Sequence, residues 1–393
     1  MVVHSPQTPL KSKPEVPGSE RDLRFDTLRG LLLVCMTVNH LPTELRVVTD
    51  QSLGIFSAAE GFVFLSGLMA GWVYTRKRRS QGPEALSSSA MSRSKSIYVW
   101  HIGSFLAAFA LVQLTGHFLR FSSTSAPRLF IEHPLASLVL GFSLLYQPGL
   151  LDLLPMYCAF VLLLPAVINA LEAGRRWLVL SLSAAVWLAV QWVPPMAGLP
   201  LYPINTGTFN LFAWQFLFVA GMALGHARMS GEAQVARPSR WVAAAALALA
   251  LYCLGLHKLH WPEPWPDRLY GILLNKPGLG LLRMADFGCV AYLVAILGER
   301  HPGLLTARPL AFLGRHSLAV VATQSAAVVA LLQFAPLFST GLRRTLTALA
   351  TIGLLFAAAA IHERLHGALR ARAALRSRQR AEVLVDRRNE RAA

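Results

Sequence analysis

The sequence predicts an all-α integral membrane protein of about ten transmembrane helices, and three observations carry that prediction. Of its 393 residues, 54% are hydrophobic and only 15% are charged, against about 25% charged in soluble domains. The apolar residues fall in runs of about 20, the length that crosses a bilayer as a helix, and the charges gather between the runs. Basic residues crowd alternate loops, as they do on the cytoplasmic side of multi-pass proteins. The net charge of +17 belongs to those loops. No recognition motif accompanies it, so membrane lipid is the expected surrounding and nucleic acid is not an expected partner.

In chain order, residues 1–20 are polar and Pro-rich and lack the apolar stretch of a secretory signal, so they read as a disordered cytoplasmic tail. The membrane domain occupies residues 21–362. Its spans are expected near 27–41, 54–74, 96–116, 151–171, 177–193, 209–226, 241–256, 278–298, 310–334 and 342–362. The first is short and polar for a span, which a bilayer tolerates only where protein surrounds it. Residues 134–146 are apolar but too short to cross, and are expected along the interface or as a re-entrant element. Residues 363–393 form a basic cytoplasmic tail.

Loop charges test that count. Arg76, Lys77, Arg78, Arg79, Arg93 and Lys95 share one loop; alternate loops then hold Arg175 and Arg176, Arg228, Arg237 and Arg240, and Arg300 and Arg308. The intervening loops carry far fewer basic residues, with Arg343 and Arg344 as the exception. The pattern fits ten spans with both termini cytoplasmic, and an eleventh at 134–146 would invert every later loop. The four cysteines lie inside apolar runs without CxxC or Cys/His spacing, so free thiols are expected and no metal site. Trp192, Tyr202, Trp261 and Trp265 fall near outer boundaries, where interfacial aromatics sit.

Chemistry concentrates in the first two spans. Asp26, Arg29, Asn39 and His40 lie on the first and Glu60 on the second. Ionisable groups at bilayer depth are costly unless paired or in a wet cavity, which makes them functional candidates. Ten residues separate Arg29 from His40, and eleven helical steps return to nearly the same face roughly 16 Å further along. His40 suits the part of a general base, Glu60 at similar depth that of its orienting carboxylate, and Asn39 that of an oxyanion donor or a helix cap. Asp26 and Arg29 are one turn apart, and the guanidinium fork suits a phosphate or carboxylate.

Arg315 and His316 open the ninth span, where cations beside a helix N-terminus favour phosphate. Asp152, Tyr157, Asn210, Trp214 and Gln215 are polar positions in apolar spans, suited to lining a substrate cavity or to interhelical hydrogen bonds. Asp286 is a further buried acid without an assigned partner. Gly67 and Gly71, with Gly221 and Gly225, read as helix-packing pairs. The paired broken helices of a secondary transporter are not evident.

The segments RFDTLRGLLLVCMTVNHLP, SAAEGFVFLSGLMAGWVY, LDLLPMY, FNLFAWQFLFVAGMALG and LGRHSLAVV resemble, in this order, the OpgC family of bacterial inner-membrane proteins linked to succinylation of periplasmic glucans. Arg29 and His40 also match the hallmark spacing of the wider acyltransferase family 3, and FVFLSG is similar to its second-span element. DTLRG resembles heparan-α-glucosaminide N-acetyltransferase, another membrane enzyme that uses acyl-CoA. Where the wider family often carries a late-span histidine, this chain has Gln324, leaving His40 with most of the chemical expectation.

The resemblance implies an O-acyltransferase in the bacterial inner membrane. It would pass succinyl or acetyl from acyl-CoA, a co-substrate rather than a bound cofactor, to a periplasmic glycan or glucan hydroxyl. Arg29, Arg315 and His316 would then hold the donor. His40, Glu60, Asp26 and Asn39 would serve catalysis. Asp152, Tyr157, Asn210, Trp214 and Gln215 would contact the acceptor. A multi-pass exporter of a glycan or acyl donor is the competing reading. A non-catalytic scaffold has no need of buried charge.

Overall fold

The computed structural model describes residues 22–118, 127–192, 204–232, 239–260 and 266–390. The expected tail at 1–20, Tyr202, and the loop bearing Trp261 and Trp265 lie outside the described residues. Among the described residues the fold is all helical, without a strand. Its main helices are α1 (Leu23–Asn39), α2 (Ala58–Phe118), α3 (Pro134–Phe142), α4 (Leu153–Glu172), α5 (Arg176–Trp192) and α6 (Leu211–Met229), followed by α7 (Arg240–Lys258), α8 (Leu281–Arg300), α9 (Arg308–Arg315), α10 (Ser317–Leu331) and α11 (Gly341–Glu390).

Among the described residues five helices are long and apolar enough to cross a membrane: Ala58–Thr115, Leu153–Glu172, Arg240–Lys258, Leu281–Arg300 and Gly341–Arg372. All ten sequence windows coincide with helix, but several of those helices are short or interrupted by polar residues. Two windows share α2, whose arms, 58–81 and 83–118, meet at a kink at Gly82. There φ is +87°, a value that glycine adopts without steric cost, and the following Pro83 supplies no N–H to continue the ladder.

The expected ninth span is not continuous. It breaks at His316 into α9 and α10, because Gly314 presses on the α1 backbone and the His316 N–H turns back to Leu313 O at 3.1 Å. The apolar 134–142 segment is a nine-residue helix with Leu135 and Val139 exposed and Ser137 and Gly141 turned inward. α11 runs on from its apolar half without interruption to Glu390.

Two backbone-to-backbone crossings fix the centre. A Cβ on Gly67 or Gly71 would lie 2.1 or 2.2 Å from Phe218 O or Met222 O, and one on Gly221 or Gly225 would lie 2.2 or 2.0 Å from Phe64 O or Leu68 O. The paired glycines thus lock the first arm of α2 against α6, as small-residue pairs do in membranes. α1 meets α9 the same way: a Cβ on Gly30 would lie 1.9 Å from Leu310 O, and one on Gly314 equally close to Asp26 O. Around these crossings α2, α4 and α6 share a core in which Trp214, Phe160 and Leu164 are fully buried. α5 packs on α6, and α7 on α8. Trp241, Val242, Leu247 and Leu251 of α7 face outward, the expected lipid-facing surface.

Candidate functional site

Two cavities lie at opposite ends of α1. The larger, about 580 Å³, is lined by Arg29, Phe62, Arg76, Arg93, Tyr157 and Ser317 among others. The smaller, about 370 Å³, is lined by Asn39, His40, Asp50, Asp152, Lys276 and Gln324 among others. α1, α2, α4 and α10 contribute to both. On α10 a single stripe does so: Ser317 faces the first cavity, Val321 both, and Gln324, Ser325 and Val328 the second. Those positions repeat at helical spacing, so one face of α10 passes from cavity to cavity.

In the larger cavity Arg29 Nη2 donates to Ser317 Oγ at 2.6 Å, and its guanidinium lies 5.5 Å from the Phe62 ring centre. The break at His316 delivers Ser317 to this position. Tyr157 also lines this cavity rather than an acceptor site at the other end, and its hydroxyl donates to Phe62 O at 3.3 Å. Arg76 and Arg93 bring two further cations, which the sequence reading counted only as loop charge. At its rim Asp22 caps α1 and pairs with Arg24 at 2.7 Å. Burial pushes the Asp22 carboxyl up, but the Arg24 hydrogen bonds outweigh it and hold the group below the usual carboxylate range.

Arg315 and His316 do not join Arg29. Arg315 is exposed, 5.8 Å from the Phe312 ring. His316 Nδ1 stands 2.9 Å from His362 Nδ1, with Nε2 3.8 Å from Glu363. The three expected donor-binding residues therefore separate, with Arg29 in the cavity, Arg315 at the surface and His316 in a histidine cluster. Asp26 is fully buried beneath the α1–α9 crossing and lines neither cavity.

In the smaller cavity His40 stands just past the end of α1 as its C-cap, and its ring makes no hydrogen bond among the described residues. Asn39 spends both ends of its amide on the following turn: Nδ2 donates to Thr49 O at 3.1 Å, and Oδ1 accepts from Thr49 Oγ1 at 2.5 Å. That use is structural and occupies one of the two N–H donors of the amide. Asp152 Oδ2 accepts from Thr208 N at 2.7 Å, fixing the loop before α6 against the cavity wall. Gln324 is buried, and its Oε1 makes no hydrogen bond among the described residues.

Glu60 is not the partner of His40. Its Oε2 accepts from Ser57 N at 3.0 Å and Ser57 Oγ at 2.6 Å, while Oε1 pairs with Arg283 Nε. Equal depth gave no information on azimuth, and α8 supplied a nearer cation. Asp286, one turn along from Arg283, accepts from Ile55 N at 2.7 Å. Glu60, Arg283 and Asp286 thus form a buried frame holding the 54–57 turn, whose Ser57 lines the His40 cavity. Arg283 was legible as a charge inside an apolar window three residues before Asp286, the pattern that marks intramembrane pairs.

The remaining expected acceptor residues are also structural. Asn210 caps α6, accepting from Phe212 N at 3.0 Å. Trp214 Nε1 donates to Pro277 O at 3.0 Å, and Gln215 Nε2 donates to Ser183 O at 2.8 Å, tying α6 to α5. Asp152 alone of that group reaches the His40 cavity. Among the described residues no group of three or more His, Cys, Asp or Glu side chains is placed to hold a metal ion.

No curated protein and no solved structure matches the chain. The OpgC protein family matches residues 21–367, nearly the whole of the helical bundle. The chain belongs to the OpgC family.

Proposed function

We propose that this protein transfers an acyl group from acyl-CoA, held in the Arg29 cavity, to a glycan hydroxyl in the His40 cavity. OpgC membership points to a glucan-modifying transferase. The observation that carries the finer reading is the pair of cavities at opposite ends of α1, which share Val321 in their walls. The basic loops cluster at the Arg29 end, so that end faces the cytoplasm, where acyl-CoA is available. In this reading the His40 end faces the periplasm, and the chain crosses ten times with both termini cytoplasmic.

Arg29, Arg76 and Arg93 suit the phosphates of the donor, with Arg29 supplying a planar fork. The thioester passes Val321 to reach His40. There the acceptor hydroxyl oxygen attacks the thioester carbonyl, a C–O bond forms and the C–S bond breaks. The hydroxyl proton goes to the His40 imidazole and from it to the departing CoA thiolate. Glu60 and Arg283 act as positioning residues by holding the Ser57 turn. Asp152 is left to meet the acceptor.

Turnover tests the reading directly. Purified protein in detergent, with no gradient, should consume succinyl-CoA or acetyl-CoA in the presence of glucan and release free thiol with acylated product visible by mass spectrometry. Thiol release without acylated glucan, or no consumption of either thioester, would return the protein to the exporter reading.

A further inference from the structure

On the face of α10 that passes from the larger cavity to the smaller, Val321 forms the shared wall. Gln324 stands three residues further on, about 4.5 Å along the helix axis. It is the first polar side chain that this face offers to the His40 cavity beyond the wall. Its Oε1 is enclosed without a hydrogen bond, and Nε2 has no partner among the described residues. Buried amides are nearly always paired, so one left open in a cavity wall calls for a cause. Among the described residues that line this cavity, no other has a fully enclosed side-chain polar atom without a hydrogen bond.

Several of its neighbours are already committed. Ser57 Oγ donates to Glu60 Oε2 at 2.6 Å, Thr208 N to Asp152 Oδ2 at 2.7 Å, and Asn39 Nδ2 gives one of its two N–H groups to Thr49 O at 3.1 Å. Arg46 pairs with Asp50 at 3.6 Å, and Lys276 has the Asp152 carboxylate within electrostatic range. Gln324, by contrast, holds its amide open on a rigid support, since Val320 and Val328 on either side of it along α10 are fully buried.

We propose that Gln324 is the oxyanion donor of this site, giving an amide N–H to the acyl carbonyl oxygen as the acceptor attacks. The assignment rests on the acyl-transfer reading and adds a catalytic residue to it. A thioester carbonyl that has passed Val321 meets Gln324 before any other polar group of that face. When the acceptor oxygen bonds to the carbonyl carbon, the carbonyl π pair moves onto the carbonyl oxygen, whose negative charge then accepts from Gln324 Nε2. The pair returns as the C–S bond breaks, and the thiolate leaves with the proton that His40 took from the hydroxyl. A donor fixed in place beforehand stabilises that charge without reorganising, and most strongly where water is excluded.

The experiment uses the full chain in detergent with glucan and, in turn, succinyl-CoA and acetyl-CoA. Gln324→Met keeps the length of the side chain and removes the N–H. It should lower kcat about 10²–10³-fold, the usual loss for one oxyanion donor. The loss should be similar for both thioesters, because the oxyanion is common to every acyl group. KM for donor and for glucan should stay near wild type. Gln324 has no hydrogen bond to lose, so the Tm should not fall. Unaltered kcat in Gln324→Met would overturn the assignment. A rise confined to the KM for glucan would make Gln324 an acceptor-binding residue and overturn it too, and a fall in Tm alongside kcat would reduce it to a structural role. Absence of transfer from either thioester in wild type would instead overturn the parent reading and take the assignment with it.

Discussion

In the larger cavity Arg29 is already engaged, with the Ser317 hydroxyl on one side and the Phe62 face on another. In the smaller one the His40 ring and the Lys276 ammonium are bonded to nothing among the described residues, while their surroundings are tied down by Asn39, Asp152 and the Glu60–Arg283 pair. A pre-bonded arginine in a half-apolar hollow is suited to holding a ligand. An unengaged imidazole in a rigid frame is suited to changing one. Under the proposed function the contrast divides the molecule into a binding end and a chemical end, and each of the following experiments strikes one side of it.

His40→Ala should have the largest effect, lowering acyl transfer about 10²–10⁴-fold, the usual worth of a positioned base. Acyl-CoA affinity, measured by equilibrium binding, should persist. Loss of binding together with turnover would erase the division between the ends.

Next comes the frame behind His40. Arg283→Met leaves Glu60 charged and buried, a change that typically costs about 3–5 kcal/mol, whereas the double change Glu60→Leu with Arg283→Met should recover much of that. Thermal unfolding in detergent reads the stability, and a mild single variant would show that the pair does not support the Ser57 turn. Arg29→Ala should weaken donor binding roughly 10–100-fold through one lost charged contact, with folding retained. Unaltered affinity would confine Arg29 to bracing α1 against α10.

The smallest effect is expected outside both cavities, at the cluster joining α2, α4 and α6. Glu172 accepts from Arg79 at 2.8 Å and stands 2.9 Å from His226 Nε2. Burial raises its carboxyl, but the Arg79 and His226 hydrogen bonds outweigh that and leave it below the usual carboxylate range. A depressed folded value means the stabilisation is present above the ordinary carboxylate pKa and is lost as pH falls through the folded one. Glu172→Gln should therefore cost about 0.2–1 kcal/mol at pH 7, given the partial exposure. The difference from wild type should fade below about pH 4. A cost that persists in acid would point to shape rather than charge.

The helices were legible in the sequence because apolar length and loop punctuation declare them, and the Gly67–Gly71 and Gly221–Gly225 pairs because only close crossings require such residues. The break at His316 was not, since apolar residues continue on both sides of it and its cause is the backbone of α1. At the candidate site the Arg29–His40 spacing was readable, being a property of one helix. Which partner Glu60 takes depends on how α8 is turned toward α2, and no single-helix periodicity encodes that. Asn210, Trp214 and Gln215 show the same limit from the other side. A polar residue in an apolar window announces that something must satisfy it, and here the satisfying groups are backbone carbonyls, amides and a neighbouring helix.

Val321 has a consequence beyond the route of an acyl group. Under the topology proposed here, a protein hollowed from both ends must still insulate the bilayer, because a continuous file of water would short-circuit the proton gradient. The shared wall is built from an aliphatic side chain that is 4% exposed, with Phe62 on one side and Ala58 and Ala59 on the other. Such a seal offers water no hydrogen-bonding group to step along. It makes Val321 part of the electrical resistance of the membrane, so smaller or polar replacements there become a burden on the cell's energy supply even when no substrate is present.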